Sequence, residues 1–305
     1  MAAWWWLAFG ALVAGLLALD LLVFHRHSAR EGARRALAWS AVWVAVGLGF
    51  SLVVGFARGH EASLAYVTAY LVELSLSVDN LFVFLALFTY FGVAPEHQHR
   101  VLFWGILGAI VFRALFIFAG VALISRFHWT LLVLGVVLVA TGARLGLSDA
   151  EQVHPSRNLA VRWASRFLPV EKQFHGEHFA VRTAAGLRFT PLLLVLVAIE
   201  STDIMFAVDS VPAALGVSRD AFVVYSSNIL AVLGLRALYF VLAHALRSLR
   251  LLKPALALIL ALIGVKMLLS DVVEVPTEVT LAGVGAILAV ATAASLLVRP
   301  REGRH

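Results

Sequence analysis

The sequence predicts an all-α membrane protein of about nine transmembrane helices with a 3+3 inverted-topology repeat. Three observations predict it. Of 305 residues, 62% are hydrophobic and 14% charged, against about 25% charged in an average soluble domain. The apolar residues come in blocks of about 20, the length at which a helix crosses a hydrocarbon core. Two segments about 125 residues apart also repeat the same landmarks in the same order. A soluble globular fold is excluded. The chain has no cysteine, which removes disulfide frameworks and thiolate-ligated zinc or iron–sulfur sites.

Apolar runs bounded by charge, Pro or Gly place spans at 4–24, 36–57, 62–91, 101–124, 129–147, 190–215, 220–246, 254–270 and 279–298. The first block, "WWWLAFGALVAGLLALDLLVF", has no basic segment before it and no small-residue cleavage site after it, so it reads as a retained helix with Trp4, Trp5 and Trp6 at the interface. Residues 1–61 form two N-terminal helices, 62–149 the first three-helix repeat, 150–189 a cytoplasmic linker, 190–271 the second repeat, and 272–305 the ninth helix with a basic tail. In the linker, Leu159, Trp163 and Phe167 recur at helical spacing beside Arg157, Arg162 and Arg166, the pattern of a basic amphipathic helix on the inner leaflet.

The net charge of +6 sits at the ends of apolar blocks instead of forming one patch, so nucleic acid is not the expected partner. Of the 24 Lys and Arg residues, only Arg58, Arg126 and Arg219 fall on one side, while Arg113, Arg236 and Lys266 fall inside spans; the rest share the other side. The positive-inside rule puts the N-terminus outside and the C-terminus in the cytoplasm.

In 73–149 the landmarks are "ELSLSVDN", Gly92, Arg113-Ala114-Leu115-Phe116, Gly142, Arg144 and Leu147-Ser148-Asp149. In 203–271 they are "DIMFAVDS", Gly216, Arg236-Ala237-Leu238-Tyr239, Gly264, Lys266 and Leu269-Ser270-Asp271. Each copy holds three spans, an odd number, so the second enters the membrane in the opposite sense. This is the architecture of many secondary transporters, with the substrate site near the midplane.

Six acids fall inside apolar spans: Asp20, Glu73, Asp79, Glu200, Asp203 and Asp209. Each costs about 2.5–3.5 kcal/mol at a helix centre, so such residues need partners and are functional candidates by default. Arg113 and Arg236 compensate two of them at most, if each takes one carboxylate, and the negative surplus points to a cationic ligand. At about 100° per residue, Glu200 and Asp203 share a face of their helix while Asp209 lies about 120° away. Ser, Asn and Pro212 in "SLSVDN" and "AVDSVP" suggest local unwinding that frees carbonyls as further ligands. Oxygen donors without thiols suit Mn²⁺, Mg²⁺ or Ca²⁺. Met205 is a weak thioether candidate, and His175 and His178 in "FHGEHF" are weak metal-collecting candidates in the linker. No phosphate loop, nucleophile elbow or zincin helix is present, so the chain is not expected to be an enzyme or to hold a resident cofactor.

The strings "LALDLLVFHR", "ELSLSVDNLFVF", "IESTDIMFAVDSVPAA" and "YSSNILAVLGLRALYF" together resemble the TerC family of integral membrane proteins, which includes members named for tellurium resistance and Alx-like members. The resemblance runs from about Leu17 to the end of the ninth span. It implies manganese export across the bacterial cytoplasmic membrane, with Glu73, Asp79 and Asn80 in one ion-site motif and Glu200, Asp203, Asp209 and Ser210 in the other. The lipid bilayer, the metal ion and membrane protein partners are the expected contacts. An alternative role, also associated with relatives of this family, is a membrane scaffold or assembly factor linked to tellurite or other stress resistance.

Overall fold

The computed structural model describes residues 3–24, 33–127, 129–147, 159–171, 173–183, 186–245, 252–270, 272–273 and 275–297. Its helices are α1 (Ala3–Phe24), α2 (Ala33–Arg58), α3 (His60–Phe91), α4 (Pro95–Arg126), α5 (Trp129–Leu147), α6 (Leu159–Phe167), α7 (Pro191–Val217), α8 (Ala221–Leu233), α9 (Leu235–Ala245), α10 (Leu252–Leu268) and α11 (Thr277–Leu297). Among the described residues, eight stretches are long and apolar enough to cross a membrane, with α8 and the start of α9 counted as one, and the shorter apolar helix Pro254–Leu268 occupies the position of the eighth predicted span. The protein is an all-α, multi-pass membrane protein.

Local chemistry sets the helix ends. Gly92 closes α3 in the left-handed conformation at φ 63°, where its N–H reaches the carbonyls of Phe88 and Thr89, a cap that costs a side-chain-bearing residue more than glycine. Pro95 and Pro191 open α4 and α7 in the first turn, where a missing N–H goes unmissed. Asp220 caps α8 by accepting from the Phe222 and Val223 amides and receives Arg58 from the end of α2 at 2.5 Å.

End-to-end contacts sort the bundle into two faces. On one, Arg58 meets Asp220, Trp6 packs on Phe118 and Phe222, and a cavity of about 380 Å³ is lined by Arg126 and Arg219 with Val121, Ile124, Ser125 and Leu215. The three arginines assigned to one side by sequence therefore gather on one face. On the other, Phe88 packs on Tyr239, whose hydroxyl donates to Gln98 at 2.9 Å, and Thr190 donates to the His178 carbonyl. It follows that α3 and α7 run in opposite senses. α4 packs on α7 and α8 on α3, while α5 and α10 form the most extensive pair.

That last pair is built on glycine. A Cβ at Gly142 would lie 2.7 Å from the Ala257 carbonyl, and one at Gly264 would lie 2.9 Å from the Gly135 carbonyl. Small residues let backbones approach where the lipid supplies no hydrophobic drive between helices. The two repeat landmarks thus mark one helix contact from its two sides. Gly92 and Gly216 are less alike: the first caps a helix, and the second packs against Met267 and Ile263 of α10. Ser148, Asp149 and Asp271 lie outside the described residues.

One local expectation is corrected. α3 and α7 continue unbroken through "SLSVDN" and "AVDSVP". Ser75 donates to the Leu71 carbonyl at 2.6 Å and Thr202 to the Ala198 carbonyl at 2.7 Å, so these hydroxyls bond back to their own helices, and Pro212 forfeits one donor without ending α7. The break lies in the seventh span instead, at Gly234 between α8 and α9, a residue type at which helices commonly kink. The long connection also holds more than α6. Strands β1 (Ala180–Thr183) and β2 (Gly186–Phe189) pair antiparallel, and Val170 bridges Phe189. On α6, Val161 and Ala164 are buried, while Trp163 and Phe167 are exposed with their rings 4.4 Å apart.

Candidate functional site

Four helices meet around Arg113, whose side chain is wholly buried. From α4 its guanidinium donates to the Glu73 carboxylate on α3, to Asp203 on α7 at 3.3 Å, to the Asn228 amide oxygen on α8 at 2.8 Å, and at a long 3.5 Å to the Ser210 hydroxyl on α7. Asn228 in turn donates to the second oxygen of Glu73 at 2.7 Å, and Ser77 donates to the first at 3.1 Å. Glu73 and Asp203 hold equivalent places in the two repeated motifs, and the antiparallel α3 and α7 bring them to one guanidinium. Burial on this scale is tolerable only because each charge has a partner.

Satisfaction is incomplete. Asp203 Oδ2, Arg113 Nε, Glu200 Oε2 and Asn80 Nδ2 are buried without a hydrogen-bond partner. Glu200 precedes Asp203 by three residues on the same face of α7 and lies against α4 at Gly108, where a Cβ would collide with its carboxylate. Of the orphaned atoms, Asp203 Oδ2 and Arg113 Nε belong to the cluster itself, so its hydrogen-bond pattern is not closed by the side chains that form it.

The remaining candidates lie elsewhere. Asp209 accepts from Thr141 of α5 at 3.0 Å, on another side of α7 from Asp203, as the 120° separation required. Asp20 pairs with Arg236 at 2.5 Å, and its backbone carbonyl accepts from the same guanidinium at 2.9 Å. Asp79 belongs to α3, but its side chain lies outside the described residues. Met205 is 67% exposed and turns away from the cluster. His175 and His178 are exposed beside the hairpin, and the Glu177 between them takes Arg100 at 3.4 Å. Among the described residues, no three His, Cys, Asp or Glu side chains converge on a point that would hold a metal. The centre instead holds two acids around one guanidinium, with Glu200 one turn away. Because Arg113 serves two carboxylates, the one-to-one charge count from sequence understates it. Unbroken α3 and α7 free no carbonyl ligands.

Sequence reasoning missed Asn228, Ser77, Thr141 and Gly108. The signal for Asn228 was present: "YSSN" is a polar run within an apolar span. Ser226 and Ser227 bond back to the Val223 and Val224 carbonyls, which leaves Asn228 as the member that reaches across helices. Gly108 carried no signal, since only the position of Glu200 gives it meaning.

A buried, ionic, four-helix centre in a multi-pass bundle defines an integral membrane protein with a polar intramembrane site. The chain belongs to the TerC family: the family described as Integral membrane protein TerC family matches residues 58–303. It is 43% identical to an uncharacterized membrane protein, STKORF319, of Myxococcus xanthus, over 98% of this chain and 93% of that one. It is also 43% identical to a protein of Escherichia coli K12 bearing the name membrane-bound redox modulator Alx, over 93% of this chain and 91% of that one. A relative of the same name in Salmonella typhi is 42% identical, over 93% and 91% of the two chains. No solved structure matches the chain.

Proposed function

We propose that the protein exports a divalent metal cation, Mn²⁺ first among candidates, from the cytoplasm through the centre built on Glu73, Glu200 and Asp203. The observation that carries this reading is the acidic excess at Arg113: three carboxylates stand at or within a turn of the cluster, one guanidinium answers two of them, and buried oxygens of Asp203 and Glu200 are unpartnered. The donors are carboxylate, amide and hydroxyl oxygens, which suit a hard cation. Mn²⁺ in particular rests on the TerC resemblance. We read α3–α5 and α7–α10 as inverted copies that rock about this centre to alternate access, supported by the opposite senses of α3 and α7 and by Arg113 and Arg236 at matching positions. We place the protein in the bacterial cytoplasmic membrane with the N-terminus outside, the face of Arg58, Arg126 and Arg219 being external. The name borne by the Escherichia coli relative speaks of redox; this chain has no cysteine, so it brings no thiol couple of its own to such a role.

The test is manganese efflux from cells that lack other exporters, measured beside membrane abundance. Asp203→Asn and Glu200→Gln keep side-chain size but remove the charge that replaces a cation's hydration. Efflux is expected to vanish at normal abundance. A double variant that exports normally would overturn the ion-site reading and favour the scaffold role.

A further inference from the structure

Four groups accept hydrogen bonds from the Arg113 guanidinium: the carboxylates of Glu73 and Asp203, the amide oxygen of Asn228 and, at long range, the hydroxyl of Ser210. All four are oxygens, they come from three different helices, and they surround one positive charge. That donor set is what a hard divalent cation takes. The guanidinium also fits its surroundings imperfectly. Its Nε and the second oxygen of Asp203, both deeply buried, have no hydrogen-bond partner, so the guanidinium leaves the hydrogen-bond pattern of this place incomplete.

Resting on the cation-export reading above, we propose that Arg113 is a tethered counter-ion standing in the substrate's place, and that Glu73, Asp203, Ser210 and Asn228 become ligands of the divalent cation when Arg113 withdraws. Both cations need the same carboxylate oxygens, and a metal bound at about 2.0–2.6 Å from them leaves no room for guanidinium nitrogens within hydrogen-bond reach. Two positive charges sharing that space in a low-dielectric interior repel strongly. Occupancy is therefore exclusive. The ion-free protein never leaves Glu73 and Asp203 without a cation, which lets it return across the membrane empty, and returning Arg113 helps expel the ion. Asn228 has a part in both states: it now bridges Arg113 and Glu73, and its amide oxygen is released to the metal when Arg113 leaves.

The experiment uses purified full-length protein in lipid nanodiscs with Mn²⁺ alone as the probe, following free Mn²⁺ by its paramagnetic resonance signal, together with efflux from cells. Arg113→Gln removes the competitor and is expected to bind Mn²⁺ about tenfold tighter or more, while export falls because release is impaired. A residue that merely braces the bundle would give weaker binding when replaced. Arg113→Gln that is folded and binds no tighter than the parent overturns the displacement. If that variant does not assemble, Arg113→Lys decides, since it keeps the charge but has fewer donors to hold it among these oxygens: tighter Mn²⁺ binding than the parent supports the displacement, and equal or weaker binding overturns it. A parent protein that takes up no Mn²⁺ in this assay overturns the manganese reading itself, an outcome distinct from both.

Discussion

Arg113 and Arg236 occupy matching places in the two repeated segments, yet they are embedded in different chemistry. Arg113 answers a carboxylate from each copy and an amide from a fourth helix. Arg236 answers Asp20, which comes from α1, outside both copies, and the same residue's backbone carbonyl accepts from it. Among the described residues, one arginine is shared between two carboxylates and the other is paired with the single carboxylate of Asp20. Matching sequence positions thus carry a buried guanidinium in both segments, and the helix that supplies the partner determines what surrounds it. A matched buried pair gains rigidity and has little reason to admit an ion, whereas an unmatched one invites it.

The sharpest way to break this contrast is to remove each pair. Arg236→Leu strands a buried Asp20 and is expected to cost about 3–5 kcal/mol, seen as a large fall in the melting temperature of purified protein. Replacing both Asp20 and Arg236 by Leu is expected to recover most of that stability and to retain manganese export, because an apolar pair packs where an ionic one stood. The corresponding double replacement of Glu73 and Arg113 is expected to yield a folded protein that does not export. Loss of export from the Asp20/Arg236 double variant at normal abundance would place that pair in the transport path and end the distinction.

A smaller effect is expected where α4 meets Glu200. Gly108→Ala puts a methyl group where the carboxylate lies, and overpacking of this kind costs about 1–3 kcal/mol. Because Glu200 must move while the guanidinium cluster need not, export is expected to fall further than stability. Equal and small losses in both would show that the position of Glu200 does not matter.

Much of this was legible in the sequence. Span positions followed from block length and bounding charge, since the cost of exposing backbone and charge to lipid leaves few alternatives. The nine predicted spans coincide with helical segments to within a few residues among the described residues, apart from the early start of α4, where Pro95 begins a helix that runs beyond the apolar block. Face relations on one helix were also legible, as Glu200, Asp203 and Asp209 show. Relations between helices were not. Nothing local says that Arg113 serves two carboxylates, or that Asp20 finds Arg236, because each pairing joins residues far apart in the chain. Gly234 shows a second limit: Ser75 and Ser77 bond within α3, the helices α3 and α7 run on through both motifs, and the break falls on the glycine of a neighbouring span.

The finest comparison lies on α7 itself, between Asp203 toward the cluster and Asp209 toward α5. Asp209 accepts one neutral hydrogen bond, from Thr141 at 3.0 Å, with Arg144 one turn further along the same helix. Thr141→Val keeps the shape and removes that donor. A buried acceptor so deprived typically loses about 1–3 kcal/mol, and a half-buried one less, since solvent or headgroups reach it. The expected loss is therefore at the low end, about 1 kcal/mol, read as a shift of a few degrees in the melting temperature. Mn²⁺ affinity in nanodiscs is expected to stay at the parent value, because the Asp209 carboxylate is turned to Thr141 of α5 and not to the guanidinium. A marked loss of affinity would mean that both sides of α7 serve one ion path, with Asp209 as a second station on it, and the separation of the two acids would then describe successive steps of transport instead of a site and its surroundings.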